Sequence, residues 1–236
     1  MKQEPPKPLS VDVVIPCRNE AATLGQVIAA VPTQKVRTIV VVDNGSTDRS
    51  AQIAEDAGAL VVRETRVGYG AACLRGVFHL STLPQPPDVV VFLPADGSCD
   101  PAEIPGLLLP LRDSLFDLVI GSRALGEGKQ VRLLKAKHFV ATSLIHAIYG
   151  HRYTDLGPYR AIRYPALIAL GMRDAGYGWL VEMQVKALKT GLRIAEVPIT
   201  YHAPDGRKTS LGEQVKGTLG ASTKAIFQIF RHSTAR

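Results

Sequence analysis

Cysteine is too scarce and too scattered in this sequence to hold a fold together. Cys17, Cys73 and Cys99 are odd in number and far apart, which fits neither a disulfide framework nor a zinc-binding spacing. Three reduced thiols suit a reducing compartment. Long apolar runs are missing too: no stretch approaches the roughly 18 residues needed to cross a bilayer. Met1 to Leu9 carries three prolines and alternating charges but lacks the apolar core of a secretory signal. The expected location is therefore the cytoplasm. Nucleotide signatures are also incomplete. Gly68-Tyr-Gly-Ala-Ala72 lacks the last glycine of G-x-G-x-x-G, and the first strand is followed by no such motif, which argues against a Rossmann dehydrogenase. The phosphate loop G-x-x-x-x-G-K-[ST] is absent, which argues against a P-loop enzyme. Aromatic residues make up 6% of the chain, with no RNA-binding aromatic signature and no helix-turn-helix pattern, so no nucleic-acid partner is expected.

What is present is the material of an ordinary globular protein. The 236 residues are 46% hydrophobic and 21% charged, ample for one large or two small domains. The formal net charge of +7 suits an anionic partner such as a membrane surface or a phosphorylated substrate. From Val11 onward short apolar runs alternate with helical stretches. Strands are expected at 11–16, 36–43, 59–64 and 88–93 and near 121, with helices at 20–31, 46–58 and 68–80 between them. That alternation predicts an α/β fold with a mostly parallel sheet covered by helices.

The longest β-branched run, Asp88-Val-Val-Val-Phe-Leu-Pro-Ala-Asp-Gly-Ser-Cys-Asp100, ends in turn residues and carboxylates. Ligands of open α/β sheets collect beyond the carboxyl ends of strands, which makes Asp96 a functional candidate. Asp100 followed by Pro101 reads as a helix cap. Asp43 ends the second strand, and a carboxylate at a buried strand end needs a partner. The residues after it, Asn44 to Asp48, are turn formers, with Ser46 or Thr47 placed to cap the next helix.

Four segments, Val14-Ile-Pro-Cys-Arg-Asn-Glu20, Val41-Val-Asp-Asn-Gly-Ser-Thr-Asp48, Gly68-Tyr-Gly-Ala-Ala72 and Phe92-Leu-Pro-Ala-Asp-Gly-Ser98, together resemble the family 2 glycosyltransferases of the GT-A fold. Gly121-Ser-Arg123, Asp155-Leu-Gly-Pro-Tyr-Arg160, Tyr177-Gly-Trp-Leu-Val-Glu182 and Glu196-Val-Pro198 resemble its dolichyl-phosphate mannose synthase branch, which includes polyprenyl-phosphate sugar transferases. The resemblance spans about Val11 to Thr218. It implies an inverting transfer of a sugar from a UDP- or GDP-sugar to an acceptor such as polyprenyl phosphate, with Mg2+ or Mn2+ as cofactor. By that resemblance Pro16, Arg18 and Glu20 line the base and ribose pocket, Asp43 hydrogen-bonds the base with Asn44 beside it, and Arg66 and Gly70 pass close to the nucleotide. Ala95 lies against the donor, Asp96 and Ser98 hold the metal, and His202 is a further candidate ligand. Arg123 meets a donor or acceptor phosphate, Asp155 lies near the sugar as an orienter or base, and Trp179 and Glu182 belong to the sugar pocket.

One departure stands out. Pro94 occupies the place of the first Asp of the family's Asp-x-Asp, and proline offers a metal no side-chain oxygen. Magnesium is often held by one or two carboxylates plus substrate phosphates, so Asp96 can serve without it. The alternative is a catalytically impaired GT-A protein that binds nucleotide sugar as a partner or sensor. Basic residues Lys129, Arg132, Lys135 and Lys137 precede the apolar stretch 139–149, which at helical spacing packs on the sheet or touches a membrane. Asp155 to Arg160 is expected as a turn and strand, and Leu192 to Tyr201 as a final strand that Pro198 marks as an edge or bulge. By the same resemblance Arg207 and Lys208 are expected in a lid-like loop over the diphosphate. The expected organisation is a flexible arm at 1–10, one catalytic domain at 11–210 with a nucleotide half to 123 and an acceptor half beyond it, and an amphipathic helix at 211–236. Such a protein would meet a lipid acceptor from the inner face of the membrane by peripheral contact.

Overall fold

The computed structural model describes residues 8–112, 115–126 and 129–202, with residues 129–138 described by their backbone alone. Seven strands form one sheet: β1 (Val11–Cys17), β2 (Thr38–Asp43), β3 (Leu60–Arg63), β4 (Val89–Phe92), β5 (Leu118–Ser122), β6 (Arg160–Arg163) and β7 (Ile194–Pro198). Their spatial order is β3-β2-β1-β4-β6-β5-β7. All neighbours are parallel except β6, which runs antiparallel to both β4 and β5. Because β6 reverses twice, β5 points the same way as β4, and the carboxyl ends of β1, β2, β4 and β5 share one edge. The expected mostly parallel sheet is what the chain forms.

Strands buried on both faces read as continuous apolar runs, and β1 and β4 are buried along their whole length. Alternate side chains then serve two cores. Val14, Val40, Val42, Val90, Phe92 and Ile120 face α3 (Tyr69–Ser81), α5 (Lys129–Tyr149) and α7 (Gly178–Lys189), with α6 (Tyr164–Leu170) beside them. On the opposite face Val13, Ile15, Val41, Val91 and Val119 meet α1 (Leu24–Ala29), α2 (Ser50–Asp56) and α4 (Ile104–Arg112). Helices thus cover both faces.

Local departures from the sequence reading have local causes. α2 begins four residues later than expected, because the Asp48 side chain takes the Ser50 N–H at 2.9 Å and its hydroxyl at 2.5 Å, leaving neither Ser46 nor Thr47 to cap it. Residues 155–159 form no strand, and β6 starts only at Arg160. β7 is shorter than the expected 192–201 and does lie at the sheet edge. Asp100 caps the following turn by accepting the Ala102 N–H at 2.9 Å. Ser10, placed by the sequence reading in the terminal arm, is tied to Asp88 through its N–H at 2.8 Å and its hydroxyl at 2.9 Å. Arg207, Lys208 and the segment 211–236 lie outside the described residues.

Candidate functional site

The shared carboxyl edge gathers most of the candidates. Beyond β1, the chain at residues 19–21 is fastened to the β2–α2 loop and the first residue of α2 by three successive backbone N–H groups. Asn19 donates to Ser46 Oγ at 3.0 Å, Glu20 to Ser50 Oγ at 2.9 Å and Ala21 to Asp48 Oδ2 at 3.1 Å. Beyond β2, Asp43 is buried and its Oδ1 accepts the Ser46 N–H at 3.1 Å. Asn44 works as a clamp: its amide donates to the carbonyls of Glu64 and Arg66 and accepts the Gly68 N–H at 2.8 Å. Arg66 itself is exposed. Between these loops lies a small pocket lined by Pro16, Cys17, Arg18, Asn44, Gly68, Tyr69 and Ala72.

Glu20 is the most unusual group here. It is 5% exposed, and among the described residues its Oε1 has no hydrogen-bond partner. Burial, together with the charges of Asp96 and Asp48, pushes its carboxyl up to about 7. A buried carboxylate without a donor is costly, so this group is set to receive a proton, a hydroxyl donor or a cation.

Beyond β4, Ala95 is fully buried and its carbonyl is held by Thr23 Oγ1 at 2.9 Å. Asp96 is half-buried and accepts the Ser98 N–H on Oδ1 at 3.0 Å. Ser98 is buried, and its carbonyl takes the N–H of the exposed His202 at 3.0 Å while Cys99 bridges to Tyr201. His202 thus reaches the Asp96 loop through its backbone. Among the described residues no three His, Cys, Asp or Glu side chains group closely enough to hold a metal ion. The donors present, a carboxylate and a hydroxyl, are hard oxygens that suit Mg2+ or Mn2+ only where a diphosphate and water complete the shell.

Beyond β5, Arg123 is held by Asp155 in a two-pronged ion pair, Nε to Oδ2 at 2.8 Å and Nη2 to Oδ1 at 2.9 Å. Asp155 is fully buried and also accepts the backbone N–H groups of Arg123 and Leu156 at 3.0 and 2.7 Å. With both oxygens occupied, its geometry is that of an orienter for the guanidinium. Glu196 closes the rear of the network by accepting from Thr154 and the Asp155 N–H. The Arg123 guanidinium also lies 5.4 Å from the Tyr201 ring centre.

Three candidates have other surroundings. Trp179 is fully buried, edge-on to Phe92 at 4.8 Å and to Tyr69 at 6.0 Å. Glu182, buried, accepts the N–H groups of Arg173 and Asp174 and pairs with Lys186 at 2.8 Å, which fixes the loop before α7. That loop occupies the start of α3: the Gly70 N–H donates to the Gly176 carbonyl at 3.1 Å and the Ala71 N–H to Ala175 at 2.9 Å. A Cβ on Gly70 would sit 2.1 Å from the Asp174 oxygen. Its glycine therefore admits protein backbone.

Two residues escaped the sequence reading. Tyr177 stacks on Tyr69 with ring centres 5.6 Å apart, and burial together with the nearby Asp96 and Glu20 raises its phenol. Its tyrosine between two glycines was a visible signal that the neighbouring Trp179 overshadowed. Asn19 lies inside the motif Val14 to Glu20, with nothing in the sequence to set it apart from its neighbours.

The profile described as glycosyl transferase family 2 matches residues 12–175 of the chain. An uncharacterized glycosyltransferase of Mycobacterium tuberculosis is 35% identical over 226 residues, covering 94% of this chain and 97% of its own length. The undecaprenyl-phosphate mannosyltransferase of Micrococcus luteus is 37% identical over 210 residues, covering 82% of this chain and 84% of its own. Among solved structures, glucosyl-3-phosphoglycerate synthase of M. tuberculosis in complex with Mn2+, uridine diphosphate and phosphoglyceric acid superposes with a TM-score of 0.75 at 23% identity, covering 97% of this chain and 80% of that one. The sheet and its helices are those of the GT-A fold.

Proposed function

The chain is a family 2 glycosyltransferase, and from that premise we propose that it moves a hexosyl group from a UDP- or GDP-sugar to an anionic acceptor, with polyprenyl phosphate as the best candidate. One observation carries this reading: parallel strands β1, β2, β4 and β5 deliver Arg18 and Glu20, Asp43, Asp96 and Arg123 to a single sheet edge. The pocket beside Pro16, Arg18 and Asn44 takes the nucleoside. Glu20, buried and with no donor to its Oε1 among the described residues, accepts a ribose hydroxyl.

Asp96 and Ser98 would hold a divalent ion whose charge, when bound, offsets that of the departing diphosphate. Pro94 removes one carboxylate, so more of the ion's oxygen ligands would have to come from the donor phosphates. The acceptor oxygen forms a bond to the anomeric carbon as the bond to the diphosphate breaks, and the electron pair leaves with the diphosphate. A phosphate acceptor is already ionised and needs no strong base. That agrees with Asp155 being fully occupied by Arg123, whose guanidinium is thereby aimed and ready for phosphate.

The lipid acceptor is favoured by three features: the basic stretch Lys129 to Lys137 in the sequence, the exposed Phe139 and Val140 on α5, and the likeness to an undecaprenyl-phosphate mannosyltransferase. Peripheral contact through α5 would bring the site to the inner membrane surface. No helix of the described residues is long and apolar enough to cross a membrane.

The test is sugar transfer from labelled UDP- and GDP-sugars to polyprenyl phosphate in vesicles, with Mg2+ or Mn2+. Asp96→Ala should lower turnover by about a hundredfold or more. Unchanged turnover and metal dependence in that variant would overturn the assignment of Asp96.

A further inference from the structure

Asn19 has φ of +55°, the sole positive φ at a non-glycine position among the described residues. Asparagine tolerates the left-handed region better than most side chains but still at a cost. Strain of this kind persists where surrounding structure enforces it, and at this position the enforcing contacts are visible. The Asn19 Oδ1 accepts the Thr47 N–H at 2.7 Å and lies 3.4 Å from the Thr47 hydroxyl, while its own N–H donates to Ser46 Oγ at 3.0 Å. The residue thus joins the β1 loop to the β2 loop from both its backbone and its side chain. Arg18 on one side lines the pocket, and Glu20 on the other is turned inward beside Asp96.

We propose that Asn19 is a positioning residue for the donor nucleotide: by bending the chain between Arg18 and Glu20 and fastening the bend to Thr47, it holds Arg18 at the nucleoside pocket and turns Glu20 inward next to it, without touching the ligand. The proposal rests on the nucleotide-sugar reading of that pocket. It assigns the bend two separable parts. The left-handed turn needs a residue that tolerates positive φ, and the link to Thr47 needs a side-chain acceptor.

Three variants of the full-length protein separate these parts. Asn19→Gly keeps the turn and loses the acceptor, Asn19→Asp keeps both, and Asn19→Ala loses both. The probes are UDP and GDP with Mg2+, titrated calorimetrically, and the kcat and KM for the donor sugar. Asn19→Asp should bind the nucleotide within about threefold of the parent. Asn19→Gly should bind about tenfold more weakly, as loss of one well-aligned hydrogen bond implies, and Asn19→Ala more weakly again. The loss should fall on KM rather than kcat, since Arg18 and Glu20 hold the nucleoside and not the reacting carbon.

Asp117→Asn, which breaks the surface pair with Arg193 at 2.8 Å, serves as the control for general destabilisation and should leave nucleotide affinity unchanged. If Asn19→Gly binds as tightly as the parent, or if Asn19→Asp is as weak as Asn19→Ala, the positioning role is overturned. A parent protein that binds neither UDP nor GDP would overturn the nucleotide reading itself, and this proposal with it.

Discussion

Replacing Glu20 by glutamine should make the protein more stable at pH 8 and change it little at pH 5. The carboxyl is pushed from an ordinary value of 4.5 up to about 7 by burial, by Asp96 and by Asp48. The folded state therefore holds a proton through a pH range where the unfolded chain has lost it. Stability from this group is fully present below 4.5, declines as pH rises, and is gone above 7. At about 1.4 kcal/mol per pKa unit the interval is worth about 3 kcal/mol. Asp96 and Asp48 are reached by solvent, so their share is screened, and about 1–2 kcal/mol is the working figure. Glutamine keeps the shape and never ionises. The assay is urea unfolding of both proteins at pH 5, 6, 7 and 8. The stability difference should move toward the variant by that amount, equivalent to a few degrees in Tm. Parallel pH profiles for the two proteins would refute the reasoning. A donor ribose hydroxyl prefers the ionised carboxylate, so nucleotide affinity should rise as pH passes 7 in the parent and stay flat in the variant.

Gly70→Ala would force a methyl against the Asp174 and Gly176 carbonyls and should cost about 2–4 kcal/mol by detaching the loop before α7, read as a lower urea midpoint. A variant as stable as the parent would show that this loop gives way freely. Asp155→Asn removes the charge that faces a guanidinium only 12% exposed, and should destabilise by about 3 kcal/mol or more while lowering transfer, measured by unfolding and by labelled-sugar assay. The thiols should be inert in the folded protein: burial pushes Cys17 and Cys99 up to about 12 and raises Cys73 further. Iodoacetamide at pH 8 should label all three only after denaturation.

The central strands β1, β4 and β5 were legible because each is an apolar run buried along its whole length, a pattern that needs no knowledge of distant residues. β2, β3 and β4 fall inside the expected stretches, and β1 runs one residue past its own, to Cys17. Helix starts were less legible where contacts across the fold hold the preceding turn: Thr47 is tied by its N–H to Asn19, twenty-eight positions away, and the side chain that accepts the Ser50 N–H at the start of α2 is that of Asp48. The Arg123 and Asp155 pair, thirty-two positions apart, obeys no spacing rule, and only the family resemblance brought both to notice. Trp179 and Glu182 show the reverse. Their motif marked them for the sugar, but a fully buried indole and a carboxylate engaged by backbone N–H groups hold the loop that covers α3. No periodicity in the sequence announces that docking; two glycines at 68 and 70 are its faint trace.

The central claim is that the edge joining Arg18, Glu20, Asp43 and Asp96 receives a nucleotide diphosphate sugar. Isothermal titration with a panel of UDP- and GDP-sugars, with and without Mg2+ or Mn2+, tests it most directly. The account predicts that one donor binds, that a divalent ion tightens it, and that Asp96→Ala removes the metal dependence. Absence of binding by every donor, in the presence of either metal, would contradict it.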